Sequence, residues 1–161
     1  MASANTTSIR PLATRDSLAW QSLFSDYAAF YNVVIPDGGQ GRVWNWIFDN
    51  DNPFWCDVIA LQHSDTRNSE LIGFVQYQLM HRSLTGEMVC YLSDLYVKPE
   101  HRNSRAGKAL IDHVILTARD WGVSNVRWLT QESNARARKL YDHYCPKSEF
   151  ILYSYPVPEA D

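Results

Sequence analysis

Length, composition and charge restrict this chain to a small globular protein. Its 161 residues are 45% hydrophobic and 20% charged, and the net charge is −3. We therefore expect one domain over residues 1–161 that buries a full core, which excludes fibrous and disordered classes. The sequence has no signal-peptide core and no membrane-length apolar run, so we expect a cytoplasmic protein without a membrane partner. The slightly acidic balance argues against nucleic acid, whose binding favours a basic face.

The first half of the chain predicts two helices followed by a pair of strands. We expect an edge strand at 8–11, a helix at 14–31, a helix at 40–48 and antiparallel strands at 58–61 and 71–79. Thr14 is the predicted N-cap of the first helix. Trp44 and Trp46 point in nearly opposite directions on the second helix, so one of them is exposed or covers a pocket.

A strand, a basic turn and a long helix follow, over residues 91–121. The strand is expected at 91–97, and the helix is stopped by Gly122. The helix start presents free backbone N–H groups, and the small residues Ala106 and Gly107 allow a ligand close to them. Four cations lie within eleven residues of this turn: Lys98, Arg102, Arg105 and Lys108. The turn is either a site for a multiply charged anion such as pyrophosphate or an ordinary turn with solvated charges.

The C-terminal part predicts a strand at 126–130, a helix opened by Asn134 and a last strand at 150–155. Helices interspersed among strands predict an α/β fold of three layers, in which helices flank a mixed sheet of about six to seven strands. The three cysteines are far apart and lack paired spacing or regular histidine partners. We therefore expect neither a disulfide framework nor a metal site, and we interpret Cys90 as a buried structural thiol.

Two stretches resemble the motifs of one enzyme family. Residues 94–97 followed by 102–110 are similar to the acetyl-CoA signature Arg/Gln-x-x-Gly-x-Gly/Ala of the GNAT superfamily of N-acetyltransferases. Residues 128–134, with Ala137 and Leu140-Tyr141, match the second motif of that superfamily. The resemblance covers residues 20–155 and is greatest to the yeast histone-and-other-protein and D-amino-acid acetyltransferases.

One position departs from the signature, because Arg105 replaces its first glycine. A helical backbone at Arg105 would tolerate the side chain and let its guanidinium add to phosphate binding. A left-handed backbone would make an arginine costly there.

The resemblance implies roles for individual residues. The expected acceptor site includes Tyr31, Trp44 and Glu87. The expected acetyl-CoA site consists of Leu95, Tyr96, Val97, Arg102, Asn103, Ser104, Arg105, Ala106, Gly107, Lys108, Asn134 and Tyr141.

Amide formation requires three chemical roles. A protonated amine must lose a proton before it attacks a thioester, so a base is needed. The resemblance implies that a backbone N–H near Leu95 stabilises the oxyanion and that Tyr141 protonates the leaving thiolate. For the base, Asp94 or Glu87 acts through water, or Ser93 positions a water. Side chains alternate along a strand, so we expect that Ser93 and Asp94 do not both face the acceptor.

The sequence thus predicts an acetyl-CoA-dependent N-acetyltransferase that transfers acetyl directly to a small amine, such as an amino acid or a polyamine. Residues 1–95 hold 5 basic and 10 acidic side chains, which favours cationic acceptors. Two alternatives stay open: a non-catalytic CoA-binding regulatory protein, motivated by Arg105 and Ser93, and a protein or peptide acetyltransferase. The apolar run at 150–155 predicts a homodimer in which these segments pair.

Overall fold

Strands and helices are interspersed along the first four-fifths of the chain. The computed structural model describes residues 5–64 and 68–159, which divide into two units, Met1–Leu129 and Thr130–Asp161. The elements of the first unit are β1 Thr6–Pro11, α1 Ser17–Phe30, α2 Gly39–Phe48, β2 Phe54–Gln62, β3 Ser69–Arg82, β4 Glu87–Val97, α3 Ala106–Asp120 and β5 Val126–Arg127. The second unit contains α4, Ala135–Tyr141. A single domain over residues 1–161 stays a prediction.

The sheet has five strands in the order β1-β2-β3-β4-β5 within the described residues. The first three pairings are antiparallel, and β4 with β5 is parallel, so the sheet is mixed as predicted. The predicted count of six to seven strands is wrong. Residues 150–155 form no strand, and the strand predicted at 126–130 is reduced to β5. An apolar run becomes a strand only beside a partner strand, and residues 150–155 have none within the described chain.

Helices cover both faces of the sheet, which confirms the three-layer α/β prediction. Trp20 and Leu23 of α1 lie in a buried cluster with Val58, Phe74 and Tyr96 of the strands. Asp57 precedes Val58 on β2 and faces the side of the sheet opposite to α1. Its carboxylate contacts the imidazole Nε2 of His113 on α3 at 2.8 Å. Because successive side chains of a strand point to opposite faces, α1 and α3 lie on opposite sides.

The start of α1 differs from the prediction. Thr14 is not its N-cap, because Thr14–Asp16 form a separate 3-10 turn and α1 begins at Ser17. Asp16 fixes that turn by accepting hydrogen bonds from the Ala13 N–H at 2.9 Å and from the Arg10 guanidinium at 2.6 and 2.9 Å. This ion pair lowers the pKa of Asp16 and ties α1 to β1. Among the described residues, no helix has the length and apolar character needed to cross a membrane.

Strands β3 and β4 approach closely at Gly73. A Cβ added to Gly73 would lie 2.5 Å from the Tyr96 carbonyl oxygen and 3.2 Å from the Val97 Cα. The contacts at Gly73 are backbone atoms of β4, which cannot move aside without shifting the strand. Glycine is therefore required here, and it sets the position of the last residues of β4.

We predict that Gly73→Ala lowers the free energy of unfolding by about 1–3 kcal/mol, because the new methyl group forces β3 and β4 apart. The matched control is Gly41→Ala in α2, where an added Cβ meets nothing within 4 Å. This control should keep or raise stability by up to about 1 kcal/mol, because alanine favours a helix. Urea denaturation measures both changes, and equal stabilities of Gly73→Ala and the wild type would contradict the prediction.

Candidate active site

A bulge in the middle of β4 organises the candidate site. Asp94 pairs with Gln76 and Leu92 pairs with Tyr77, so Ser93 is an extra residue in β4. The Gln76 side-chain amide donates to the Asp94 carboxylate at 2.8 Å, and that of Gln78 reaches the Ser93 hydroxyl at 3.4 Å. Gln76 and Gln78 are two residues apart and share a face of β3.

The expectation that Ser93 and Asp94 face opposite sides is therefore wrong. It assumed regular alternation, which an extra residue interrupts. Both side chains lie on the sheet face that α1 covers, since Trp20 of α1 bonds Gln76 there.

Asp94 lies at the end of a buried chain of hydrogen bonds. The Trp20 indole N–H donates to the Gln76 carbonyl at 3.2 Å, and the Gln76 amide donates to Asp94. Trp20 is fully buried and Gln76 is 1% exposed. Burial raises the pKa of Asp94 above its ordinary value, and hydrogen bonds from Gln76 and Tyr27 partly oppose that rise. A half-buried carboxylate with a raised pKa is a stronger proton acceptor than an ordinary aspartate.

Aromatic side chains contributed by α1 and α2 pack around the hydrogen-bonded chain that ends at Asp94. The Tyr31 ring packs edge-on against Tyr27 with 5.2 Å between centroids, and Trp44 packs against Trp20 at 5.4 Å. Tyr31 and Trp44 are half-buried, whereas Trp46 is 47% exposed. The structure thus brings two of the three predicted acceptor residues to the Asp94 side of the sheet.

Glu87, the third predicted acceptor residue, does not lie near Asp94, Tyr31 and Trp44. It begins β4 and pairs with Arg82 at the end of β3, so it lies about 20 Å along the strand from Asp94. Glu87 is exposed and lines a shallow cavity of about 280 Å³ with Trp121 at the end of α3. This separation removes the geometric basis for Glu87 as a base that acts through one water.

The edge of β4 beyond the bulge is open. Strand β5 pairs with β4 only at Cys90 and Tyr91, and no other described strand lies on that side. The backbone of residues 95–97 is therefore not paired with a described strand on that side, and the Val97 carbonyl oxygen there accepts from Arg102. Cys90 itself is fully buried, and burial raises its pKa to about 11, which suits a structural thiol.

The basic turn connects this open edge to α3. Arg102 donates from Nε to the Val97 carbonyl oxygen at 3.0 Å, and its guanidinium lies over the rings of Phe30 and Tyr96 at 5.3 and 5.7 Å. Ser104 closes the turn by donating to the His101 carbonyl oxygen at 2.5 Å. Of the predicted cofactor residues, Arg102–Arg105 thus form the turn, and Ala106, Gly107 and Lys108 begin α3.

Two non-glycine residues of the turn have left-handed backbones. Asn103 has φ of 74°, and Arg105, the N-cap of α3, has φ of 66° and ψ of 7°. Asparagine tolerates this region, whereas arginine is costly there. Of the two outcomes that the sequence left open for Arg105, the structure has the costly one. Ala106 and Gly107 follow as the first residues of α3, and Ala106 is buried.

One group of potential metal ligands lies before the turn. Atoms of Glu70, Glu100 and His101 come within 4.8 Å of one another. However, Lys98 donates to Glu70 at 2.5 Å, and this ammonium lowers the Glu70 pKa. Glu70, one of these three residues, is therefore already engaged in an ion pair with Lys98.

The second unit holds the two remaining predicted residues. Asn134 is the N-cap of α4, as predicted, and its side-chain oxygen accepts from the Ala137 N–H at 3.3 Å. Its amide nitrogen also reaches the Thr130 hydroxyl at 3.3 Å. Tyr141 is the last residue of α4 and is half-buried. Their roles toward the cofactor stay predictions.

Sequence reasoning missed Gln76 and Tyr27 as hydrogen-bond partners of Asp94, and Trp20 as the partner of Gln76. A signal was available, since Gln76 and Gln78 interrupt the largely apolar central part of β3, residues 71–80, and occur two residues apart. That spacing places them on one face, where buried amides require partners. The partner across the bulge could not be identified without the register.

Solved structures share this fold. An aminoglycoside N-acetyltransferase, AAC(6')-Iy, solved in complex with CoA, superposes with a TM-score of 0.81 at 17% identity, over 97% of this chain and 98% of that one. A second aminoglycoside acetyltransferase, from an uncultured soil metagenomic sample, has a TM-score of 0.74 at 20% identity, over 95% and 97%. At these identities the likeness defines the fold, which is that of acetyl-group transferases.

The sequence itself establishes the family. Residues 20–145 match the model of the acetyltransferase (GNAT) family. The D-amino-acid N-acetyltransferase HPA3 of Saccharomyces cerevisiae is 30% identical over 90% of this chain and 88% of its own. Thialysine N-epsilon-acetyltransferase of Sus scrofa is 32% identical over 56% and 55%. The chain belongs to the GNAT family and is an N-acetyltransferase with acetyl-CoA as its cosubstrate, which confirms the resemblance.

We predict that Tyr27→Phe raises the pKa of Asp94 further, because it removes a hydrogen bond that favours the carboxylate. The measurement is a carbon-13 NMR titration of the Asp94 carboxyl group. Tyr31→Phe is the matched control, since the Tyr31 hydroxyl has no part in the shift. An unchanged or lowered Asp94 pKa in Tyr27→Phe would contradict the hydrogen-bond assignment.

Proposed function

We propose that this enzyme transfers the acetyl group of acetyl-CoA directly to the amine of a small acceptor. The observation that carries the proposal is the half-buried Asp94 carboxylate, held beside an open strand edge and the aromatic ends of two helices. An amine and a thioester that met there would have a proton acceptor on one side and free backbone groups on the other. Direct transfer needs no acyl-enzyme, which agrees with the burial of Cys90.

Asp94 is the proposed base. The ammonium group of the acceptor passes a proton to the Asp94 carboxylate, directly or through a water held by Ser93. The nitrogen lone pair then forms a bond to the thioester carbon, and the carbonyl oxygen becomes an oxyanion. A backbone N–H of the open edge near Leu95 donates to that oxyanion.

Tyr141 is the proposed acid. Collapse of the intermediate breaks the C–S bond, and the Tyr141 hydroxyl gives its proton to the departing thiolate. The phenolate then takes up the proton that the new amide nitrogen loses. The products are CoA and an N-acetylated acceptor, and Asp94 releases the proton it took from the ammonium group to solvent, which restores the carboxylate for the next turnover.

Cofactor binding is proposed at the open edge, the basic turn and Asn134. The pantetheine arm would extend along Leu95–Val97, while the pyrophosphate would meet the N–H groups of the turn and the first residues of α3. The N-terminus of a 15-residue helix with Gly107 in its first turn favours such an anion.

The proposed acceptor is a small amine or an amino acid, with cationic amines preferred. Tyr31 and Trp44 would form its pocket wall. Relatives by sequence are named for D-amino acids and thialysine, and structural neighbours for aminoglycosides, so acceptors of this size occur among similar proteins. The cytoplasmic location stays a prediction from the sequence.

The test offers polyamines, aminoglycosides, D- and L-amino acids and histone-tail peptides at equal concentration, with thiol release from acetyl-CoA as the signal. We predict the highest kcat/KM for a small amine. Tyr141→Phe should lower kcat by about 10²- to 10⁴-fold with little change in acetyl-CoA affinity. Tyr144→Phe, a tyrosine shortly after α4, is the matched control.

Each outcome of this test has a distinct meaning. CoA binding without thiol release for any amine would favour the regulatory alternative. Activity confined to peptides would favour a protein acetyltransferase. Preference for anionic amines would overturn the charge argument, and full activity of Tyr141→Phe would remove the acid role of that residue.

We further propose a homodimer, supported by the C-terminal segment. Its apolar side chains are largely exposed, with values of 93% for Phe150, 73% for Ile151 and 73% for Leu152. Pairing with a second copy would cover them. We expect light scattering at micromolar concentration to give the mass of two chains and Ile151→Glu to give that of one. A wild-type mass of one chain would contradict the proposal.

A further inference from the structure

Two glutamine side chains of β3 lie on the sheet face that α1 covers, and they differ in how their amides are bonded. The Gln76 carbonyl oxygen accepts from the Trp20 indole, and its amide nitrogen donates to Asp94. Gln78 is half-buried, and its amide nitrogen donates to the Ser93 hydroxyl at 3.4 Å. The Gln78 carbonyl oxygen accepts no hydrogen bond from any residue in the described ranges, 5–64 and 68–159. This oxygen is therefore open to a ligand.

Two hydroxyl groups of β4 next to Gln78 also have unused hydrogen-bonding capacity. Tyr91 pairs with Gln78 across the strands, which places both side chains on one face. Burial and the Asp94 carboxylate raise the pKa of Tyr91, so its hydroxyl keeps its proton at neutral pH. In the part of the chain that the structure describes, neither the Tyr91 hydroxyl nor the Ser93 hydroxyl donates to a protein group. Uncharged polar groups thus lie beside the proposed base.

Apolar side chains border Gln78 on its other sides. Phe54 pairs with it across β2, and the Trp46 ring lies edge-on to Phe54 with 6.1 Å between centroids. Met80, the next residue on the same face of β3, is 43% exposed. A carbonyl oxygen that loses its water in such surroundings weakens binding unless the ligand donates to it. A ligand that covers Gln78 is therefore selected for a donor group at this point.

The spacing of the two glutamines sets the spacing of two ligand groups. Gln76 and Gln78 are two residues apart, which is about 7 Å along an extended strand. Gln76 holds Asp94, where the reacting amine would lose its proton. A ligand group that donates to Gln78 would therefore lie about 7 Å from that amine. A chain of about five carbon atoms between the two groups spans this distance.

We propose that Gln78 is a specificity-determining residue whose carbonyl oxygen accepts a hydrogen bond from a second N–H or O–H group of the acceptor. The preferred acceptors are then diamines and amino alcohols over monoamines of equal length. The proposal rests on the proposed transfer at Asp94, and it adds the group that selects the acceptor. A neutral amide oxygen accepts from an ammonium or from a hydroxyl group, so this subsite selects a donor and not a charge.

The experiment compares hexylamine, cadaverine and 5-aminopentanol, which have equal chain lengths and end in a methyl, an ammonium and a hydroxyl group. The signal is thiol release from acetyl-CoA, expressed as kcat/KM for wild type, Gln78→Met, Gln78→Glu and Gln21→Met. Gln78→Met keeps the length of the side chain and removes its oxygen, whereas Gln78→Glu keeps an acceptor oxygen. Gln21→Met is the matched control, because Gln21 is exposed on α1 and its side chain bonds Ser17.

We expect the wild type to prefer cadaverine and 5-aminopentanol over hexylamine by about 10- to 100-fold. Gln78→Met should reduce this preference to about twofold, because it lowers the values for the two donors and leaves hexylamine unchanged or improved. Gln78→Glu should keep the preference and shift it towards cadaverine, because a carboxylate favours the ammonium group. Gln21→Met should match the wild type.

The ratios separate recognition from folding. An equal loss with all three amines in Gln78→Met would show a structural role and would overturn the proposal. If Gln78→Met does not fold, Gln78→Glu decides, and an unchanged ratio of cadaverine to 5-aminopentanol in that variant would overturn the proposal. Equal use of all three amines by the wild type would overturn the role of Gln78 alone. Thiol release with none of them would overturn the proposed transfer to small amines as well.

Discussion

The bulge at Ser93 is the constraint on which the candidate site depends. A single extra residue in β4 places Ser93 and Asp94 on one face, where Gln76 and Gln78 hold them. Bulges also bend a strand and increase its local twist. The pairing of β4 with β5 ends at Tyr91, shortly before the bulge, and the rest of β4 has an open edge. One irregularity thus accounts for both the position of the carboxylate and the accessible backbone beside it.

The carboxylate is held there at a cost in stability. Burial raises the pKa of Asp94, so the folded protein binds this proton more tightly than the unfolded chain does. By linkage, the resulting stabilisation is fully present below the ordinary aspartate pKa and is lost as pH rises through the folded-state value. Hydrogen bonds from Gln76 and Tyr27 offset part of the cost of the ionised form. An ordinary structural acceptor gains nothing from such a setting, whereas a base needs a raised pKa.

The elements that the sequence predicted well are those whose signals are local. The strand, turn and helix from β4 to α3, the stop at Gly122 and the Asn134 cap all follow from residue type and spacing. What could not be predicted depends on contacts across the chain. The bulge is a property of register, so the alternation argument for Ser93 and Asp94 was wrong. The strand predicted at 150–155 failed because an apolar run needs a partner strand.

The charges of the basic turn also depend on contacts between residues that are distant in sequence. Sequence spacing grouped four cations, but it could not show that Glu70 lies beside Lys98, since 28 residues separate them along the chain. Nor could it show that Glu87 lies far from Asp94. Both residues belong to β4, and the extended strand between them places them about 20 Å apart. The sequence left two backbone conformations open for Arg105, helical and left-handed, and the structure shows the left-handed one.

The end of α1 connects the two halves of the proposed reaction. Phe30 lies under the Arg102 guanidinium of the cofactor turn, while the next residue, Tyr31, packs on Tyr27 beside Asp94. Two successive residues at one helix end therefore contact Arg102 of the basic turn and the tyrosine that hydrogen-bonds Asp94. We expect that a ligand bound by Arg102 would also restrain Phe30 and, through the adjoining backbone, Tyr31 of the proposed acceptor wall. Cofactor binding is thereby expected to order the acceptor pocket, which would favour acetyl-CoA binding before the amine.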